Sequence, residues 1–425
     1  MQIGIVGAGF TGLTAARTLQ KQGHEVTIFE QESIPGGLAM GFQQPKWNWS
    51  LEKHYHHIFT SDSAIRTLSK EINVPFKFMR ANTSSLIGSE IIQLDSPFKL
   101  LQFHVLSLID RVRMGAVLAY IKYIASWQRL EQYTAHNWLQ KAVGRVPYGI
   151  LWEPLLKAKF GSYYKDISLA WFWARIKART TELGYPEGGF QNLAQKLADS
   201  CKADGAFIYY DTTVSNIEQK DSAIQITHGA KKELFDRVIV TVPNGLFARM
   251  TPSLPREYIK KLTSFKGIGA VNMVLELDTP FLQDNVYWLN ICDESYPFLA
   301  VVEHTNFIPK KNYNGTHILY VGNYLAHDHR YFSMKKEDLL KEYHPFLEKL
   351  HPGYRKHVIK THIFHAPFAQ PIVTQNFSQK ILPFETPIQG IYLANMQQVY
   401  PWDRGTNFAV ELGNNVAEHI GGTIS

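Results

Sequence analysis

Three glycines near the start of the chain have the spacing that phosphate-binding turns use. Gly7, Gly9 and Gly12 fit the pattern G-x-G-x-x-G and follow the apolar run Ile3–Val6. The first glycine permits a tight turn, the second lets backbone N–H groups approach a pyrophosphate, and the third lets helix and strand pack closely. Glu30 follows at the distance expected of a carboxylate that binds ribose hydroxyls. The segment therefore predicts a dinucleotide site, formed by Gly7, Gly9, Phe10, Thr11, Gly12 and Glu30.

Three histidines give the segment 52–59, EKHYHHIF, the most unusual local composition in the chain. In a strand, His54 and His56 would share one face, as two imidazole ligands of a metal would. No carboxylate or cysteine partner is evident elsewhere in the sequence, so we predict no metal site. The histidines are then either satisfied polar groups of a strand end or hydrogen-bonding and proton-transferring groups of a site.

A second polar segment, YPWDRG, occupies residues 400–405, between a strand-like run and the last helical stretch. Arg404 there is suited to pairing with a phosphate or with an anionic substrate. Trp402 is suited to forming the wall of a pocket. The alternative is an ordinary turn with an Asp403–Arg404 pair, and of the two we predict the site role.

Strands and helices alternate around these residues. Strand-like runs at 3–6 and 25–30 flank a helical stretch and form half of a βαβ unit. A helix near 190–202 and a strand at 235–242 follow, and the tail returns to strand, loop and helix. Short β-rich runs with one charged helix fill most of 251–384. Elements of the dinucleotide-binding type thus lie at the start, middle and end of the chain.

At this point the sequence resembles a known family. GIVGAGFTGLTAARTL…VTIFEQESIPGGLA is similar to the flavin amine oxidase superfamily, which includes protoporphyrinogen oxidases, phytoene desaturases and, more distantly, UDP-galactopyranose mutases. YPEGGFQNLAQKLADSCKADGAFIYYDTTVSNIE resembles the middle segment of that family, RVIVTVPNGLF resembles the strand that follows it, and GIYLANM…GTNFAVELGNNVAEHI resembles its C-terminal flavin motif. The resemblance implies FAD as the cofactor. Only one fingerprint is present, so a second nucleotide site is not indicated.

The resemblance also implies how the cofactor is held. The glycine pair 36–37 would lie along the FAD, where a side chain would collide with it, and the strand near Val214 would pass the adenine. Family members carry Ala-Gly-Asp where this chain has Ala394-Asn395-Met396, so Asn395 or Asp403 would supply the missing polar contact. The last helix would direct its N-terminus at the flavin. The cofactor residues so implied are Gly36, Gly37, Leu38, Val214, Asn395, Trp402, Gly405 and Thr406.

The histidine segment resembles the stretch that UDP-galactopyranose mutases place against the flavin. On that resemblance His56 or His57 lies near the isoalloxazine ring, as a hydrogen-bonding group or proton shuttle. Together with Arg404 they are the catalytic residues that we predict.

These patterns predict an α/β fold of two domains, a Rossmann-type FAD-binding domain and a substrate domain with a mixed sheet and a helical lobe. A chain of 425 residues is too long for one simple core. We assign 1–75, 185–250 and 385–425 to the FAD-binding domain, and 76–184 and 251–384 to the substrate domain. Both domains are therefore discontinuous in the sequence.

The composition limits the partners and the location. A net charge of +7 suits an anionic cofactor, an anionic substrate or a membrane surface. No basic run interleaved with aromatic residues suggests nucleic acid. Two cysteines, no signal-peptide pattern before the first strand and no uncharged apolar run of ~18 residues predict a cytoplasmic protein. The stretch 98–127 is either the helical part of the substrate domain or a surface that docks on a membrane. Nothing in the sequence indicates the oligomeric state.

The predicted activity is removal of a hydride from an amine, an isoprenoid-like or a porphyrinogen-like small molecule to flavin N5. The main alternative is a redox-neutral, flavin-dependent nucleotide-sugar mutase. A third is a flavoprotein whose FAD is structural and whose role is binding.

Overall fold

A computed structural model describes residues 1–422, and its strands form two large sheets and three small ones. The strands are, in chain order, β1 (Gln2–Val6), β2 (Glu25–Phe29), β3 (Gly41–Phe42), β4 (Leu51–Glu52), β5 (Ile58–Phe59), β6 (Phe76–Arg80), β7 (Asn82–Ile87), β8 (Glu90–Gln93), β9 (Glu182–Pro186), β10 (Phe207–Tyr209), β11 (Val214–Lys220), β12 (Ala223–His228), β13 (Lys231–Phe235), β14 (Arg237–Val240), β15 (Gly267–Leu277), β16 (Val286–Ile291), β17 (Ala300–Glu303), β18 (His317–Leu325), β19 (Val358–Pro371) and β20 (Ile391–Leu393).

The α-helices lie between these strands and at the C-terminal end. They are α1 (Phe10–Lys21), α2 (Ser63–Glu71), α3 (Pro97–Leu101), α4 (Leu108–Ala119), α5 (Trp127–Leu130), α6 (Ala135–Ala142), α7 (Arg145–Pro147), α8 (Glu153–Phe160), α9 (Leu169–Ala178), α10 (Phe190–Ala203), α11 (Asn244–Met250), α12 (Arg256–Ser264), α13 (Lys336–Leu350) and α14 (Thr406–Gly422). In the part of the chain that the structure describes, none of them has both the length and the apolar composition needed to cross a bilayer.

The first large sheet is parallel and has the strand order β10-β2-β1-β14-β20. Its strands come from the start, middle and end of the chain, as the sequence predicts. Ile3, Ile5 and Ile28 in its central strands are completely buried, because they cluster with residues of α1, α10 and α14 on one face, while the three-stranded sheet β11-β12-β13 packs on the other. This arrangement confirms the predicted Rossmann-type α/β fold.

The second large sheet is mixed, with the order β19-β15-β18-β17-β16-β7-β8. β15 pairs antiparallel with both β18 and β19, and every residue of β15 after Gly267 is buried. Asn272 is buried in the middle of that strand between the apolar residues Val271 and Met273, so its amide must find a partner inside the protein. Such a mixed sheet beside the Rossmann-type unit is the predicted second part of the fold.

A helical lobe, residues 97–178, packs against this mixed sheet around a cluster that includes Phe103, Met114 and Phe172. The predicted helical stretch 98–127 is interrupted in the structure. α3 and α4 are separate helices, and a single wide turn over Tyr120–Ile124 precedes α5. The domain boundaries themselves stay a prediction.

Candidate functional site

Two of the three glycines in the turn from β1 into α1 are required by the fold itself. Gly7 has φ +106°, and a Cβ there would lie 2.5 Å from the Thr241 Oγ1. A Cβ on Gly12 would lie 2.0 Å from the carbonyl oxygen of Gly7. Both glycines therefore let the helix start close against the strand, as the fingerprint requires.

Gly9 is different, because the protein leaves room at that position. A Cβ on Gly9 would meet only the Cα of Gly37, at 3.9 Å, and its φ of −74° suits any residue. Gly37 and Gly36 both have positive φ, and the Gly36 N–H donates to the Ala8 carbonyl at 3.0 Å. Two stretches of backbone thus face each other without side chains. This cradle fits a pyrophosphate-containing cofactor, since a ligand that approaches the backbone there accounts for a glycine that the fold itself does not require.

Glu30 lies buried beside the same turn. Its Oε2 accepts the Ala8 N–H at 2.6 Å and its Oε1 accepts the Glu32 N–H at 3.0 Å. Burial raises the pKa of this carboxyl, against the lowering effect of those hydrogen bonds. Val214 is also buried at this end of the sheet, where the Thr212 N–H donates to the Glu30 carbonyl at 2.8 Å. The segment that leads into Val214 is thus hydrogen-bonded to Glu30, and the ribose and adenine roles of the two residues stay predictions.

The last helix begins close to α1. Gly405 is exposed and Thr406 is buried, and the Ala409 N–H donates to the Gly405 carbonyl at 3.0 Å. A Cβ on Gly413 would lie 2.5 Å from the carbonyl oxygen of Thr11, so α14 and α1 are in direct backbone contact. Phe10, like Thr11, is buried in α1.

The predicted cofactor contact of Asn395 is not supported by the structure. Its Oδ1 accepts the Gln397 N–H at 2.9 Å, and its Nδ2 donates to the Val242 carbonyl at 2.9 Å and to the Asn244 Oδ1 at 2.8 Å. The Gln398 side chain accepts the Asn395 N–H in return, which completes a capping box. Asn395 therefore closes a turn, and both donors of its amide are engaged with protein groups.

A pocket lies where the histidine segment meets the mixed sheet and the loop before α14. It is lined by Leu38, His54, Tyr55, His56, Ala270, Asn272, Asn323, Tyr324, Ala369 and Arg404. Three of the predicted residues, Leu38, His56 and Arg404, are thus brought together. His54 and Tyr55 belong to the same histidine segment, and the remaining five come from β15, β18 and β19 and were not predicted from the sequence. In the described part of the chain, no group of three or more potential ligands is placed to hold a metal.

The hydrogen bonds of His54 and His56 define their tautomers. The Asn272 Nδ2 donates to the His54 Nδ1 at 2.8 Å, and the His56 Nδ1–H donates to the His54 carbonyl at 2.5 Å. Burial lowers the pKa of His54 to about 3 and that of His56 to about 4. Both rings are therefore neutral at pH 7, and the His56 Nε2 is left as a free acceptor in the pocket wall.

His57 is not among the described residues that line the pocket. Its Nδ1 lies 3.4 Å from the Tyr287 hydroxyl, and its ring packs on Phe59 and Trp288. Burial, together with the charge of Arg175, lowers its pKa to about 3. The predicted catalytic role of His57 is therefore not supported by its position, whereas that of His56 remains a proposal with pocket geometry behind it.

Arg404 projects into the pocket and is held by Tyr324. Its Nη2 donates to the Tyr324 hydroxyl, and its Cζ lies 5.5 Å from the centre of that ring. The Nε is buried and has no hydrogen-bond partner in residues 1–422. A guanidinium with an unused donor is suited to an anionic ligand.

The alternative interpretation of this turn is an Asp403–Arg404 ion pair. The carboxylate of Asp403 does not form that pair with the guanidinium of Arg404. Its Oδ2 lies 3.3 Å from the Arg175 Nη1, and its Oδ1 accepts from the Gln370 Nε2 at 3.0 Å. Burial acts to raise the pKa of Asp403, but the charges of Lys159, Arg175 and Arg404 bring it down to about 2. Trp402 lies behind the residues that line the pocket. Its ring packs between those of Trp173 and Phe408, whose centres are 5.2 and 5.6 Å away.

Lys159 is the residue of this site that the sequence did not reveal. It lies on α8, is 91% buried, and places its Nζ 4.5 Å from the centre of the Tyr324 ring and 5.5 Å from that of Trp171. Burial lowers its pKa well below the ordinary value. No ion pair within 4 Å neutralises it among the described residues. A buried lysine held by aromatic rings next to an arginine is a second candidate anion ligand.

Comparison with known proteins identifies the family of this chain. The family model described as flavin containing amine oxidoreductase matches residues 10–420. A putative flavin-containing monoamine oxidase from Mycobacterium tuberculosis is 22% identical over 281 residues, which are 60% of this chain and 60% of the relative. A 4,4'-diapophytoene desaturase from Staphylococcus aureus is 57% identical over 37 residues, 9% of this chain and 7% of the relative. The match thus spans 60% of the length of the first of these curated relatives and 7% of the second.

Solved structures share the fold over almost the whole chain. A putative protoporphyrinogen oxidase from Exiguobacterium has a TM-score of 0.77 at 16% identity, covering 99% of each chain. Cyclohexylamine oxidase from Brevibacterium oxydans has 0.78 at 14%, covering 100% of this chain and 99% of that one. A reduced UDP-galactopyranose mutase has 0.78 at 15%, covering 100% and 96%. The family match confirms the predicted superfamily and FAD as the cofactor. The chain belongs to the flavin-containing amine oxidoreductase family.

Proposed function

We propose that this protein is an FAD-dependent oxidoreductase that oxidises a small molecule bearing an anionic group. Of the three substrate classes considered, this favours a carboxylate-bearing, porphyrinogen-like compound over an amine or an isoprenoid hydrocarbon. The observation that carries the proposal is the charge around the pocket. Three cations, Lys159, Arg175 and Arg404, face one carboxylate, Asp403.

This excess of positive charge discriminates among substrates. Among the described residues none of the pocket-lining side chains is acidic, and the adjacent Asp403 is already paired with Arg175 and Gln370, so no free carboxylate would attract the ammonium form of an amine. An uncharged isoprenoid would leave the buried charges of Lys159 and Arg404 uncompensated, which is costly. A carboxylate would pair with the free Nε–H of Arg404 and restore a full charge to Lys159.

The cofactor that this site holds supplies a hydride acceptor, flavin N5. The backbone at Gly9, Gly36 and Gly37 binds its pyrophosphate, and Glu30 accepts hydrogen bonds from its ribose. Arg404 and Lys159 hold the anionic group of the substrate and so fix its orientation. His56 would act as the base: oxidation at a carbon next to an N–H releases a proton together with the hydride, and the neutral Nε2 of His56 in the pocket wall would accept that proton.

The test is anaerobic mixing of the FAD-loaded protein with matched compounds. The panel holds a carboxylate-bearing porphyrinogen, its methyl ester, a primary amine and an uncharged polyene precursor. The proposal expects the acid to bleach the flavin absorbance and the ester to do so only at much higher concentration. Equal rates of flavin bleaching with the acid and the ester would show that the cations do not select the substrate.

A nucleotide-sugar mutase is the alternative that the same charges permit, because a diphosphate is also anionic. The redox balance of the reaction distinguishes the mutase from the proposed oxidoreductase. A mutase turns over only after reduction of the enzyme and consumes no electron acceptor, whereas the proposed enzyme consumes one acceptor for each substrate oxidised.

A further inference from the structure

Exposed apolar side chains are concentrated in one part of the helical lobe. Among the described residues, fifteen large apolar side chains are exposed, and nine of these lie between residues 98 and 124. The most exposed are Ile109 at 79%, Ile124 at 76% and Tyr123 at 74%. Single exposed apolar residues are ordinary, but a contiguous group marks a surface that meets another apolar phase.

The backbone places these side chains on one side. In α4 and the wide turn after it, Met114 and Ile121 are completely buried and face the core of the lobe. Ile109 and Val112 lie on the opposite side of α4. The Ala125 N–H donates to the Tyr120 carbonyl at 2.8 Å, five residues back, and this wide turn leaves Tyr123 and Ile124 exposed as well. We call the exposed side chains of residues 98–124 the apolar face.

Positive charge accompanies the apolar face. Residues 98–129 contain five basic side chains and one acidic side chain, Asp110; the basic ones are Lys99, Arg111, Arg113, Lys122 and Arg129. None of the five forms an ion pair within the described residues. Arg111, Arg113 and Lys122 instead donate to main-chain carbonyls, at 2.8, 2.7 and 2.7 Å respectively, which fixes their positions without neutralising them.

We propose that the apolar face docks this protein onto the surface of an anionic lipid bilayer. The face combines apolar and aromatic side chains that enter the acyl boundary with cations that contact acidic headgroups, as interfacial helices do. A bilayer satisfies both features at once. A purely apolar partner would leave the five cations unmatched.

The docking surface is linked to the pocket through tryptophans. The Trp173 Nε1–H donates to the Ala125 carbonyl at 2.9 Å, directly after the apolar face. The Trp173 ring packs on Trp402, two residues before Arg404. A substrate with an apolar body and an acidic group would partition into the same bilayer surface. The docking inference does not depend on the proposed reaction, because lipid binding is measured without substrate.

The experiment is co-sedimentation of the FAD-loaded, full-length protein with vesicles. One set is phosphatidylcholine alone, and the other contains phosphatidylglycerol as well. We expect binding to the anionic vesicles that weakens as salt is added. The triple variant Ile109→Ser/Tyr123→Ser/Ile124→Ser should lower the partition coefficient about tenfold or more, and Lys99→Gln/Arg129→Gln should lower binding to anionic vesicles only.

The matched control is Leu234→Ser/Ile359→Ser. These side chains are 54% and 60% exposed but lie on β13 and β19, outside the helical lobe. The control should bind vesicles like the parent protein, and flavin content and Tm verify that all variants fold. Equal vesicle binding by the triple variant, or no binding by the parent at low salt, overturns the proposal. A third result would also overturn it: the parent protein forms a dimer in sedimentation velocity, the triple variant does not, and neither binds vesicles. The apolar face would then be the contact with a second copy of the chain.

Discussion

Lys159 and Arg404 approach the same aromatic ring. The Lys159 Nζ lies 4.5 Å and the Arg404 Cζ 5.5 Å from the centre of the Tyr324 ring. Attraction to the ring stabilises each cation, but two positive charges held this close in a buried place also repel one another. An anion between them would relieve that repulsion. The proposed selectivity for acids rests on this relationship, and the further predictions concern Gly9, Glu52 and His56.

Replacing Lys159 by methionine should separate stability from binding. Because a lone buried charge costs folding free energy, Lys159→Met should raise the free energy of unfolding of the protein by about 1 kcal/mol or more. The same change should raise KM for an acidic substrate at least about tenfold, the loss of one charge-assisted hydrogen bond. Urea denaturation and initial rates measure the two effects.

Lys157→Met is the control on the same helix, since Lys157 is only partly buried and pairs with Glu294 at 2.8 Å. It should leave KM unchanged.

Affinity for the acid should also rise as pH falls, because the charged form of Lys159 binds an anion better, and this dependence should vanish in Lys159→Met. Loss of stability in Lys159→Met with unchanged KM would show that the lysine is structural.

Gly9→Ala should abolish FAD binding and leave the apoprotein intact. The protein itself has room for a Cβ at Gly9, whereas a Cβ at Gly12 would strike the Gly7 carbonyl at 2.0 Å. We expect Gly9→Ala to change the free energy of unfolding of the apoprotein by less than about 1 kcal/mol, and Gly12→Ala to destabilise it strongly. Gly245→Ala, at an open helical position, is the neutral control. Normal FAD content in Gly9→Ala would contradict the cradle.

Glu52 should make the protein less stable as pH rises through the weakly acidic range. Burial raises its pKa from 4.5 to about 7, although Tyr185 and the Phe190 N–H both donate to it at 2.7 Å. Between those pH values the folded state holds a proton that the unfolded state has lost, so stability falls as pH rises. The full effect is on the order of 3 kcal/mol.

Glu52→Gln should remove most of that slope, because the amide does not titrate; its Oε1 can still accept the Phe190 N–H, and its Nε2 can donate to the Tyr185 hydroxyl oxygen. Chemical denaturation at several pH values measures how the free energy of unfolding depends on pH. The control is Glu187→Gln, which replaces an exposed carboxylate. An unchanged slope in Glu52→Gln would mean that another group titrates.

His56 should act as a neutral base across the physiological range. With a pKa of about 4 it carries no proton near neutrality, so kcat for flavin reduction should show no ionisation between pH 5.5 and 8. His56→Gln should lower kcat by about a hundredfold or more without changing FAD content. A break near pH 6.5 that His56→Gln removes would show instead that the imidazole titrates normally.

The parts of the site that could be predicted from the sequence are those encoded locally. The glycine turn and Glu30 lie within one βαβ half-unit, where spacing along the chain fixes spacing in the fold. His56 and Arg404 were found because three histidines in four positions, and an arginine between strand and helix, are unusual in composition.

Lys159 and Tyr324 could not be found in that way. They belong to α8 and β18, and only the packing of the lobe on the mixed sheet brings them to Arg404. Nothing in LLKAKF marks its second lysine as buried. Asn272 did carry a signal, as the one polar residue in the run AVNMV. Asn395 carried one too, because Asn-x-x-Gln is a capping-box pattern.

The most direct test of the central claim is the rate of flavin bleaching under anaerobic conditions with the acid and the ester of one porphyrinogen. The account predicts that the acid reduces the parent enzyme, that the ester reacts poorly, and that Arg404→Gln and Lys159→Met narrow the difference while FAD remains bound. Bleaching by amines alone, or no bleaching by any hydride donor while the reduced protein isomerises a nucleotide sugar, would contradict it.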